Sequence, residues 1–63
     1  MKLKVCDFGS VYLLEPQDSE SCDWLVSHID APAWAWRGES VAVETKFLDV
    51  TLAGYAAAGG RLA

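Results

Sequence analysis

The sequence predicts an α+β fold: a small antiparallel sheet of three to four strands with two helices packed on one face, in the order strand(s), helix, hairpin, helix. Three observations predict it. Val41, Val43 and Thr45 alternate with Ala42 and Glu44, which is the two-residue period of a strand. Cys22, Leu25, Val26 and Ile29 fall at i, i+3, i+4 and i+7, which is one stripe of a helix. Glycine and proline then punctuate the chain at Gly9, Pro16, Pro32, Gly38 and Gly59-Gly60.

Residues 2–8 and 10–15 read as extended, with Val5, Val11, Tyr12, Leu13 and Leu14 favouring strand or core. Gly9 between them marks either a tight turn or a bulge. Pro16 has no donor for a ladder and stops the strand. Asp18 or Ser19 caps a first helix that runs to about residue 29, with Glu20 and Asp23 near its positive end. Asp30, Ala31 and Pro32 form a short loop. Residues 33–37 and 40–45 make a hairpin around Gly38-Glu39, a two-residue turn with glycine first. The second helix spans about 46–58, with Leu48, Leu52, Tyr55 and Ala56 as its core stripe and Phe47, Val50 and Thr51 widening it. Gly59 and Gly60 suit a left-handed C-cap, and Leu62 is expected to pack back on the core.

At 63 residues the chain reads as a single domain, 1–63. Domains this small bury only about 60% of the surface their unfolded chains expose, which leaves little room for a deep pocket. With 52% hydrophobic and 22% charged residues, the composition is that of a globular chain and not a disordered one. The core is expected around Trp24, Trp34, Trp36, Phe8 and Phe47.

Nine acids face five bases, a net charge of −4. That field favours basic partners and repels nucleic acid and anionic membrane. The bases Lys2, Lys4, Arg37, Lys46 and Arg61 are scattered, so no basic stripe tracks a phosphate backbone. Two cysteines, Cys6 and Cys22, are too few for a disulfide scaffold and fit buried thiols in a reducing cytosol. Asp7 interrupts the apolar run that a signal peptide would need, and no apolar stretch approaches the roughly 20 residues that cross a bilayer. A cytoplasmic protein is the expectation.

Catalytic and metal chemistry find few candidates. His28 is the single histidine, and metal sites need several convergent ligands. Cys22 and His28 stand six apart on one helix and do not face each other, and no third group orients the histidine. Asp7-Phe8-Gly9 spells the metal-binding tripeptide of kinases without any other kinase segment. No cofactor and no catalytic residue is assigned.

The acids and tryptophans carry two readings each. Asp18, Glu20 and Asp23 surround the first turn of the first helix, Asp30 follows that helix, Glu39 lies at the hairpin tip and Glu44 on the outward strand face. They serve as caps and a solvated face, or as a negative patch for basic side chains. Trp34 and Trp36, two apart on a strand, share a face. They form the core beneath the helices, or one indole is an exposed anchor of the type enriched at binding hot spots.

Gly9 through Pro16, Trp24-Leu25-Val26 and Gly38 through Val43-Glu44 together carry a resemblance. The chain resembles small proteins of phages, prophages and plasmids of proteobacteria over roughly residues 9 to 62. Their shared pattern is a Gly-Ser strand ending in proline, a tryptophan in the first helix, and a Val-Glu strand end before the second. The resemblance implies a type I anti-CRISPR protein in the host cytoplasm. Such a protein acts on the multi-subunit, crRNA-guided surveillance complex, whose DNA channels are lined by lysine and arginine. An acidic domain in such a channel releases counterions as DNA phosphates do. The expectation is an acidic, non-enzymatic inhibitor contacting its partner through Asp18, Glu20, Asp23, Asp30, Glu39, Glu44, Trp34 and Trp36, itself a monomer or weak homodimer. The alternative is a structural or regulatory accessory protein acting as a homodimer or adaptor.

Overall fold

A computed structural model describes residues 1–63. Strands β1 (Lys2–Asp7) and β2 (Val11–Pro16) lead to helix α1 (Ser19–His28). A 3-10 turn (Ala33–Ala35) precedes the short strand β3 (Trp36–Arg37) and strand β4 (Ser40–Glu44). Helix α2 (Thr45–Ala57) and a last strand, β5 (Arg61–Leu62), complete the chain. The fold is α+β, as expected, but the sheet has five strands in the order β3-β4-β2-β1-β5 and is mixed. β1–β2, β2–β4 and β3–β4 pair antiparallel, whereas β5 lies parallel to β1.

Two glycine turns set the register. Gly9 adopts φ +88 and its N–H donates to Asp7 Oδ1 at 2.8 Å, so Gly9-Ser10 is a tight turn and not a bulge. Gly38 adopts φ +62 in the expected Gly38-Glu39 turn, which pairs Arg37 with Ser40. The resulting register puts Leu3, Val5, Leu14, Val41 and Val43 on one sheet face. The other face carries Lys4 opposite Glu15, Cys6 opposite Leu13, and Glu44 opposite Val11.

Leu25 of α1 and Tyr55 of α2 join Leu3, Leu14, Val41, Val43 and Ala35 in a single buried cluster. Both helices therefore cover the same sheet face. The apolar stripe of α1 differs from the one read from sequence. Ser21 and Leu25 are buried, Cys22 and Ile29 are half-buried, and Val26 is exposed. Ser21 can be buried because its hydroxyl and N–H are both bonded to Asp18, at 2.7 and 2.8 Å. In α2, Tyr55 is buried and Leu48 and Leu52 are half-buried, while Ala56 is exposed. The expected core also contracts. Trp24 and Trp36 pack against the cluster, but Phe8, Trp34 and Phe47 are exposed.

The C-terminal end corrects the expectation for Leu62, which is exposed and extends the sheet instead of packing on the core. Gly59 takes the expected left-handed conformation at φ +89, and Gly60 N–H reaches back to the Tyr55 carbonyl at 3.0 Å. The chain then turns to lay Arg61 beside Lys2. Tyr55 fastens this end: its hydroxyl donates to the Arg61 carbonyl at 2.9 Å and its ring packs closely against Gly60. A Cβ at residue 60 would overlap that ring. Gly60→Ala is therefore expected to destabilise the fold by about 1–3 kcal/mol, the usual penalty for overpacking, read as a lowered urea midpoint. An unchanged midpoint would show that the Tyr55 ring does not hold β5 in place.

Candidate functional site

Pro32 shapes the segment that joins α1 to β3. Its φ of −66 and ψ of 156 start the 3-10 turn, in which Ala35 N–H donates to the Pro32 carbonyl at 2.9 Å. The turn takes residues 33–35 off the line that β3 would otherwise follow along β4. β3 thus pairs only with Ser40 and Val41, and Ala42–Glu44 have no strand neighbour on that side. The turn also separates the two tryptophans that sequence spacing placed on one face. Trp36 faces inward and is half-buried, while Trp34 is 75% exposed. Arg37 Nη1 donates to the Trp34 carbonyl at 2.8 Å and fixes the segment.

A cleft of about 390 Å³ opens beside this edge, against which the 3-10 turn packs. Trp34 and Ala35 line one part of it, Ala42, Val43 and Glu44 another, and Phe47 and Val50 of α2 and residues 28–32 at the end of α1 and beyond it contribute further walls. Phe47 and Val50 are 54% and 77% exposed. The carboxylates in the lining are Asp30 and Glu44, His28 is present, and no lysine or arginine contributes. Lys46 lies 3.9 Å from Glu44, but both ends are solvated, so the pair holds Glu44 only weakly.

A second, polar cleft of about 400 Å³ lies elsewhere and is lined by Pro16–Ser19, Cys22, Asp23 and Glu39. Asp18 is the N-cap of α1 and forms a capping box with Ser21. Hydrogen bonds from the Ser21 hydroxyl and N–H hold the Asp18 carboxyl below its usual range, and the terminal ammonium 3.9 Å away adds to this. Burial pushes the Cys22 thiol up, and Glu39 and Asp23 push it further. A thiol so placed stays neutral and is a poor nucleophile. His28 does not serve it: its Nδ1 lies 2.9 Å from the Trp24 carbonyl and its ring stacks on Trp24 at 4.5 Å. Cys6 and Cys22 are free thiols, and no group of three or more metal-ligating side chains converges.

The residues singled out in the sequence therefore divide. Asp30, Glu44 and Trp34 meet at the apolar cleft, and Asp18, Asp23 and Glu39 at the polar one. Glu20 is exposed but lines neither, and Trp36 belongs with the core. Phe47 and Val50 were missed as site residues. Their signal was present: they form an apolar pair at i, i+3 beside the Leu48, Leu52, Tyr55 stripe, and an α2 apolar on more than one side needs more than one cover.

No family model, no curated protein and no solved structure matches the chain. No helix is long and apolar enough to cross a membrane.

The two neighbouring tryptophans should separate cleanly by mutation. Trp34→Ala is expected to leave stability within about 0.5 kcal/mol, because its ring is largely in water. Trp36→Ala removes packing against the core and should cost about 2 kcal/mol or more. Chemical denaturation monitored by circular dichroism measures both. Equal losses would contradict the outward placement of Trp34.

Proposed function

We propose that this chain is a non-catalytic domain that binds a basic protein surface, in its most concrete form an inhibitor of the crRNA-guided type I surveillance complex in the host cytoplasm. The observation that carries the binding reading is the apolar cleft. Three large apolar side chains, Trp34, Phe47 and Val50, stand in water around it, and its carboxylates are Asp30 and Glu44. Exposed aromatic anchors ringed by charge are what a protein partner desolvates. The net charge of −4 adds long-range attraction to a lysine- and arginine-rich target. The resemblance to small phage and plasmid proteins supplies the surveillance complex as that target.

The division of the acids bears on how the inhibitor works. Six carboxylates in one row would imitate a phosphate strand, but these lie in two separate clefts with Glu20 outside both. Contact by a hydrophobic anchor with flanking acids fits better than mimicry of a DNA strand. An accessory role as a homodimer or adaptor draws on the same exposed apolar surface. Two copies meeting symmetrically there would bring Asp30 and Glu44 of both copies into one interface with no lysine or arginine from either cleft, which disfavours the dimer. The domain is accordingly expected to be monomeric by light scattering.

The test is capture of purified surveillance complex by this protein at low and high salt, with target DNA binding as the readout. Binding that weakens with salt and drops about tenfold or more in Trp34→Ala supports the proposal, since truncated hot-spot residues cost that much. Binding unaltered by Trp34→Ala and by charge reversal at Asp30 and Glu44 would assign the contact elsewhere. Absence of binding at low salt removes the surveillance complex as target.

A further inference from the structure

The free edge of β4 specifies more than an apolar surface. The Gly38-Glu39 turn makes Arg37 and Ser40 its hydrogen-bonded closing pair. Alternation along an antiparallel strand then turns Val41 and Val43 towards β2, and Ala42 and Glu44 towards the other side. On that side β3 has ended, and none of the backbone hydrogen bonds made in turns, loops and caps reaches residues 42–44. The N–H and C=O of Ala42 and the N–H of Glu44 therefore point, unpaired, into the space beside the cleft. Unpaired ladder groups are a template for another strand.

Two further features say what that strand carries. In an extended segment, successive side chains alternate between faces. Side chains on the helix-facing side would enter the cleft between Trp34, Phe47 and Val50. Side chains on the opposite side would run along the sheet face that bears Glu44, which shares that face with Val11. The cleft lining contains carboxylates and no lysine or arginine. A segment alternating apolar and basic residues satisfies both faces at once. A second copy of this chain does not, because its own β4 edge carries Glu44 and its cleft carries Asp30.

We propose that the domain takes an extended, alternately apolar and basic peptide segment of its partner as an added strand on the Ala42–Glu44 edge of β4. This rests on the protein-binding reading above and specifies its geometry. Main-chain pairing supplies the affinity, and the cleft and Glu44 supply the selectivity. The fixed Trp34–Arg37 segment keeps the edge open without a rearrangement on binding.

The test uses the whole chain and a short acetylated, amidated peptide of alternating valine and lysine. Saturable binding that shifts the Ala42 and Glu44 amide resonances, slows hydrogen exchange at Ala42 and is lost with the valine–glutamate counterpart is the expected result. The decisive variant is the chemically synthesised chain with N-methyl-Ala42, which removes one outward donor and keeps every side chain. It should bind about tenfold more weakly, the loss expected for one main-chain bond. Ala42→Pro is the recombinant equivalent, and the wild-type amide spectrum outside β4 is the folding control for both. Binding that Trp34→Ala abolishes but N-methylation leaves unchanged would overturn strand addition while leaving a protein-binding cleft. No saturable binding of the valine–lysine peptide at millimolar concentration would overturn it as well. Conversely, edge binding of the peptide without capture of the surveillance complex would sustain the inference and remove only that target.

Discussion

The end of β3 after two residues is the constraint on which the exposed surface depends. A β3 strand that continued along β4 would occupy Ala42–Glu44, close the sheet edge and draw Trp34 into a pleat. Pro32 prevents this by starting a 3-10 turn whose bond from Ala35 uses the chain locally. One side of β4 is consequently paired along Val41–Glu44 with β2, while the other is paired only at Ser40 and Val41. The same turn sends Ala35 into the core and Trp34 into water. An open ladder and an exposed indole are thus two results of one local geometry.

The rest of the molecule holds that edge steady. Tyr55 is buried, stands edge-on to Trp24 at 5.3 Å and ties the C-terminal strand through Arg61. β5 then covers part of the opposite sheet edge, at Lys2 and Leu3. The strands β4 and β5 run the same way, and α2 crosses over β2 and β1 to join them. In so small a domain the helices cannot bury all their apolar residues, and α2 keeps Phe47 and Val50 outside. Those side chains weaken the case for α2 as a purely structural helix and strengthen the case for a covered cleft.

Local chemistry carried much of this into the sequence. The Gly38-Glu39 turn, a cap at Asp18 or Ser19, a C-cap at Gly59-Gly60 and the inward Val41 and Val43 were legible, because each depends on neighbours within a few residues; the structure selects Asp18 and Gly59. Longer-range effects were not. β5 has two residues, which is too short for any period, and its pairing with β1 depends on Tyr55 and Gly60 meeting across the core. The α1 stripe was misplaced because Ser21 is buried by satisfying its hydroxyl on Asp18, a cost that hydropathy alone counts against it. Alternating tryptophans suggested a strand through Trp34, and Pro32 overrode that alternation. The acids were recognisable as exposed, but their division between two clefts follows from the tertiary fold.

The backbone of Ala42 has no ladder partner on the β3 side, while its neighbours on either side are paired with β2. Amide hydrogen exchange of the free protein, resolved by residue, measures this directly. Strong protection is expected at Val41 and Val43, and fast exchange at Ala42 between them. Equal protection at all three residues would mean that the edge of β4 is already covered, and that no strand can be added there.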